Sequence, residues 1–121
     1  MHSLLILFLA YAIHIALVQS QRVNETYVAK SSNIYDTYCD LDWPGNDLIY
    51  YNSILDLPGC IEKCETWNEE SDLTSGVCVG VAVVQSGSSN LGCYLKTIMV
   101  GPGTRNIMVV DCARRRKSVT V

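Results

Sequence analysis

The sequence predicts a small, disulfide-rich α+β domain in which one α-helix packs on an antiparallel β-sheet of about five strands. Three observations carry this. Cys60 and Cys64 sit four residues apart within a run whose apolar positions, Leu57, Cys60, Ile61, Cys64 and Trp67, recur at helical spacing. Val77 to Gln85 and Gly92 to Thr97 have strand composition and flank the turn-rich Ser86-Gly87-Ser88-Ser89-Asn90, the pattern of a hairpin. All six cysteines lie beyond residue 38, a density typical of domains stapled because their cores are small.

At 121 residues the chain has room for one domain. The apolar run from Leu4 to Val18 has the length of a signal-peptide core and falls short of the roughly 20 residues of a membrane span. Val18 and Ser20 suit the small-residue positions before a cut, so residues 1–20 are read as a signal peptide removed after Ser20. Residues 21–34 are then an extended N-terminal segment, 35–113 the folded domain, and 114–121 a basic, flexible tail. Asn24-Glu25-Thr26 forms an acceptor sequon that marks Asn24 for N-glycosylation.

Tyr35 to Leu41 alternates as a first strand, and Trp43-Pro44-Gly45-Asn46-Asp47 is turn chemistry. Leu48 to Tyr51 follows as a second strand. Asp56 is a fitting N-cap, and Pro58 is tolerated in the first turn of a helix running to about Glu70. In the next strand Cys78, Gly80, Ala82 and Val84 share a face whose small side chains are expected to admit the helix closely. After the return strand carrying Cys93 and Leu95, Gly101-Pro102-Gly103 breaks the chain before a closing strand at Asn106 to Cys112.

Two thiols on one helical face point away from bonding each other, so each needs a partner on the hairpin. That leaves Cys39–Cys112 to join the first and last strands. The helix is then held either by Cys60–Cys93 with Cys64–Cys78 or by the swapped pair, Cys60–Cys78 with Cys64–Cys93. Each bridge is expected to stabilise by about 2 to 4 kcal/mol.

These residues resemble the PAN/Apple domains. The likeness rests on the Cys60-x3-Cys64 helix, the strand with Cys78 and Gly80, and above all Gly92-Cys93-Tyr94-Leu95-Lys96. Asp42-Trp43-Pro44-Gly45-Asn46-Asp47-Leu48 is similar to a segment of small secreted fungal members. The resemblance implies Cys60–Cys93, Cys64–Cys78 and Cys39–Cys112. It also implies a secreted adhesion module that binds an extracellular glycan or protein, without catalysis and without a cofactor.

Charge and composition narrow the chemistry. The net charge of −3 conceals a body, residues 22–113, with five basic and twelve acidic residues, a net −7, beside Arg114-Arg115-Arg116-Lys117. An acidic body argues against nucleic acid and anionic membrane as partners. Both histidines, His2 and His14, fall in the leader, which excludes Ser-His and Cys-His nucleophile arrangements. Asp40, Asp42 and Asp47 cluster in sequence, but Pro44 stands where a calcium loop needs its third ligand, so no metal site is assigned. Exposed aromatic rings stack on sugars and anchor interfaces, which makes Trp43, Tyr50 and Tyr51 the candidate ligand contacts, Trp43 first. The alternative is a secreted, toxin-like effector that inhibits a target enzyme or receptor.

Overall fold

The computed structural model describes residues 23–86, 90–105 and 109–117. The proposed leader therefore lies outside the described residues, as do the tip of the expected hairpin loop and Ile107 and Met108 of the expected closing strand. The elements are β1 (Val23–Val28), β2 (Ile34–Cys39), β3 (Leu41–Asp42), β4 (Asp47–Tyr51), α1 (Leu57–Glu70), β5 (Gly80–Ser86), β6 (Gly92–Lys96), β7 (Thr104–Arg105) and β8 (Val109–Arg115). Six strands form one antiparallel sheet in the order β1-β2-β8-β5-β6-β4, and β3 pairs with β7 separately. The fold is a small α+β arrangement with one helix, among the described residues, laid on that sheet.

The helix begins where its cap permits. Asp56 is extended and its carboxylate accepts the Gly59 N–H at 2.8 Å, with Pro58 in the first turn, where no intrahelical donor is needed. Cys60, Ile61 and Cys64 are fully buried against the sheet. Cys60 is joined to Cys93 of β6 and Cys64 to Cys78 just before β5, with Cα separations of 5.6 and 5.5 Å. The helix thus lies across the middle of the sheet.

The face it covers is not the one expected. Val81, Val83, Leu95 and Ala113 pack beneath the helix, whereas Ala82, Val84 and Val110 belong to a second cluster on the opposite face. The cause is local. Lys96 O accepts the Val79 N–H while the ladder pairs Lys96 with Gly80, so two residues oppose one, as in a β-bulge. Alternation skips a step there, and Cys78 reaches the helix side although Gly80 faces away. Asn68 of the helix holds Cys78 in place, accepting its N–H at 2.8 Å and donating to its carbonyl at 2.9 Å. The small residues serve the second face: a Cβ on Gly80 would collide with Met99 Sδ and Ala113 O.

Three further expectations are corrected. The N-terminal segment is not merely extended: β1 is the edge strand of the sheet, joined to β2 through a turn in which Ser32 has φ of 78°. Tyr27 Oη and the Lys30 N–H both donate to Glu62 Oε1 at 3.1 Å, tying that hairpin to the helix. The basic tail does not begin as a flexible end, because Arg114 and Arg115 complete β8. Arg114 donates to the Met99 and Gly101 carbonyls at 3.3 and 3.2 Å, and Arg116 is paired with Asp36 at 2.7 Å. Finally, the Cys39–Cys112 bridge is absent: Cys112 is a buried free thiol that donates to Leu41 O. The register pairs Cys112 with Tyr38 and Cys39 with Asp111, so the two positions are out of step by one residue and fall on opposite faces of the ladder.

The helix also buries a charge. Glu65, 6% exposed, accepts from Tyr35 Oη at 2.6 Å and from Asn33 Nδ2 at 3.1 and 3.0 Å. Burial, and then the Glu65 carboxylate, push the Tyr35 hydroxyl well above its ordinary value of 10.0. A folded-state value raised in this way gives stability that is present below the unfolded tyrosine pKa of about 10 and is lost as pH rises beyond it. Tyr35→Phe is expected to cost about 1 to 3 kcal/mol in urea unfolding at neutral pH, since it strands part of a buried carboxylate. The variant should also lose stability less steeply than the parent above pH of about 10. For Cys112, whose thiol is pushed up by burial first and by the Asp42 charge second, iodoacetamide should leave the Cys112 peptide unmodified in the folded, unreduced protein, read by peptide mapping, and should modify it once urea is added.

Candidate functional site

On the face away from the helix, a cavity of about 250 Å³ opens between the turn after β3, the ends of β5 and β6, and the segment leading into β6. Ala82 and Val84 line it, together with Asp42, Pro44, Gly45, Asn90, Tyr94 and the Asp47–Lys96 pair. The turn is shaped by Gly45 and Asn46, both at positive φ (81° and 57°), which glycine and asparagine tolerate. Asp42 and Asp47, which flank this turn in sequence, both line the cavity.

Lys96 is 3% exposed and so requires compensation. It has it: Nζ lies 2.5 Å from Asp47 Oδ1 and donates to Gly45 O at 3.2 Å, and it sits 5.9 Å from the Tyr94 ring centre. Asp42 is treated differently. Its Oδ1 is buried and has no hydrogen-bond partner. Buried acceptors are almost always satisfied, so an orphaned carboxylate oxygen beside a cavity is a place where a donor belongs.

An aromatic pair completes the rim. Tyr94 Oη donates to Asn90 O at 2.8 Å, and its ring stacks on Tyr50 with centroids 4.6 Å apart and planes 30° apart. Tyr50 Oη donates to Leu91 O, and Gly92, at φ of 144°, leaves room for the Tyr50 ring, which a Cβ would meet at 2.8 Å. Burial, followed by the neighbouring Tyr50 and the charges of Asp47 and Asp42, raises the Tyr94 pKa, so its hydroxyl stays protonated.

The expected ligand residues have separate fates. Trp43 is 8% exposed and belongs to the second core. Its indole N–H donates to Gly101 O at 3.1 Å, Tyr38 meets it edge-on at 5.5 Å, and the Arg114 guanidinium lies 5.3 Å over it. Although the turn is polar, the ring folds back against the Gly101-Pro102-Gly103 segment, so Trp43 is not an exposed contact. A Cβ on Gly103 would come within 3.0 Å of that ring. Tyr50 is 40% exposed and does not line the cavity, but stacks on Tyr94, which does. Tyr51 points the other way, packing beside the helix core with Lys63 Nζ 5.5 Å from its ring. Asn24 lies in β1, and its side chain is outside the described residues.

Asp42, Tyr94 and Lys96 were not singled out as ligand residues from sequence. The available signal was a lysine on a strand otherwise buried at Cys93 and Leu95, with two aspartates bracketing a Pro-Gly turn. Among the described residues no group of three or more His, Cys, Asp or Glu is placed to hold a metal ion. No family model, no curated protein and no solved structure matches the chain.

The orphaned oxygen carries a stability cost. Asp42→Asn should leave thermal stability unchanged or raise it by about 1 kcal/mol, read as a higher unfolding midpoint, because the buried negative charge is removed.

Proposed function

We propose that this chain is a secreted, non-catalytic binding module that recognises an extracellular carbohydrate through the cavity between Asp42 and Tyr94. The single observation that carries the reading is the unpartnered Asp42 Oδ1. A sugar hydroxyl is a neutral donor of suitable size for it, and reaches it once the lining around the buried oxygen shifts to admit the ligand. The surrounding groups fit the same ligand: Tyr94 and Tyr50 offer an apolar ring surface of the kind that sugars contact, and Asn90 borders the entrance. Ala82 and Val84 supply the apolar lining that recognition sites combine with a few placed polar groups.

Asp47 is paired with Lys96 through Oδ1 and Asp42 has a buried oxygen, so the two carboxylates lining the cavity are unlike and are not a matched pair sharing a reacting bond. That favours recognition over hydrolysis, which needs a pair of carboxyl groups set across the scissile linkage. The apolar leader, the two disulfides and the resemblance to PAN/Apple domains agree with an extracellular role for such a module.

The test is retention on an array of neutral and acidic glycans, followed by calorimetry with the best ligand. Asp42→Asn and Tyr94→Leu should each weaken binding by about tenfold or more, in line with the loss of a buried hydrogen bond or an aromatic contact. Failure to retain any glycan, or retention untouched by both substitutions, would reject the reading.

A further inference from the structure

A second feature lies at the pole where α1 ends. Four of the large apolar side chains left in solvent belong to the segments that meet there: Leu73 at 39% exposure, Val77 at 38%, Ile98 at 48% and Val100 at 80%. Their proximity follows from a continuous series of contacts. Trp67 Nε1 donates to Gly76 O at 2.9 Å, and Asn68 holds Cys78, so the helix end is fastened to residues 76–78. Gly76 in turn lies against Thr97, whose Oγ1 would be 2.7 Å from a Cβ there. Thr97, Ile98 and Val100 then line a groove of about 540 Å³ together with Arg115 and Lys117.

Charge is divided across this pole. Glu69, Glu70 and Asp72 are exposed at the helix end. On the groove side Arg114 and Arg116 are occupied by carbonyls and by Asp36, while Arg115 and Lys117 form no ion pair among the described residues. Acidic, apolar and basic groups thus share this pole, the acidic ones on the helix end and the basic ones on the groove. Such a patch, turned about a two-fold axis through its apolar centre, meets its own complement. An anionic membrane would be repelled by the acidic side, and an acidic peptide would leave that side unmatched. Leu73 adds to the case, since it holds φ of 62°, a conformation disfavoured for leucine, while displaying its side chain to solvent.

We propose that this pole is a self-association surface, in which the acidic, apolar segment from Glu69 to Leu73 of one copy enters the groove beside Ile98, Val100 and Lys117 of a second copy, and reciprocally. Contiguous exposed apolar area rimmed by charge is what protein–protein contact surfaces show. Pairing would place two carbohydrate cavities on one particle, raising the avidity for a polymeric ligand without any new contact to it. The inference stands independently of the ligand.

Sedimentation velocity on the full chain from a secretory host decides it. A concentration-dependent monomer–dimer equilibrium is expected, weaker at high salt because exposed charges are screened. Val100→Asp and Lys117→Glu, both at exposed positions and checked for folding by circular dichroism, should each raise the dissociation constant by about tenfold or more. Glu70→Lys should behave likewise when alone. Mixing the Glu70→Lys and Lys117→Glu proteins should restore the dimer, because a two-fold contact then matches opposite charges at both ends. A monomer at every concentration, a dimer indifferent to Val100→Asp, open-ended oligomers, or a mixture that stays monomeric would each overturn the proposal.

Discussion

Two covalent links one helical turn apart determine most of what this chain does with its sheet. Cys60–Cys93 and Cys64–Cys78 fix both the position of α1 and its rotation about its own axis. One link alone would leave the helix free to roll. With two, the face carrying Val81, Val83 and Leu95 is committed to a dry core, and the other face must be covered without a second helix among the described residues. The chain covers it with single large groups. Trp43 comes from the turn before β4, Met99 from the segment after β6, and the Arg114 guanidinium stacks over the indole. Gly80, Ala82 and Gly103 are small where those groups approach, and this is where the lack of a side chain matters.

A thin core makes the handling of buried polar groups conspicuous. Glu65 is enclosed by Tyr35 and Asn33, and Lys96 by Asp47 and a carbonyl, so both sites are electrostatically closed. Asp42 is not, although its chain neighbours and the Cys112 thiol are well placed. Since burial of an unsatisfied carboxylate oxygen opposes folding by an amount comparable to a lost hydrogen bond, a small domain has little room to tolerate it without return. Lys96 and Asp42 Oδ1, lining the same cavity, therefore differ: one is compensated by its neighbours and the other is not.

What could be read from sequence was what local chemistry determines. The helix from Leu57 to Glu70, its Asp56 cap and the strand pattern of residues 48–51 and 92–96 depend on neighbours within a few positions, and they are present. The helix-covered face was misassigned because the bulge at Val79 and Gly80 arises from a distant carbonyl, that of Lys96, and leaves no mark on the pattern of valines. Turn chemistry puts Trp43 in a polar segment but says nothing about which way its ring folds afterwards. Arg116 was assigned to a free tail although its partner Asp36 lies 80 positions earlier. The missing Cys39–Cys112 link shows the same limit in its sharpest form, since a register offset of one residue reverses the face on which a position falls.

The bulge connects the two surfaces proposed here. It sits where β6 ends: Lys96 accepts from Val79, its side chain anchors Asp47 at the cavity, and the next residues, Thr97 to Val100, become the wall of the groove. Val79 itself lines that groove. Cavity and pole are therefore built from opposite sides of one short, disulfide-anchored segment rather than from separate loops. Rigid elements lower the ordering cost of binding. Two copies joined through the pole would accordingly hold their cavities at a set separation and angle, and the spacing of residues along a polymeric ligand would then become part of what the protein selects.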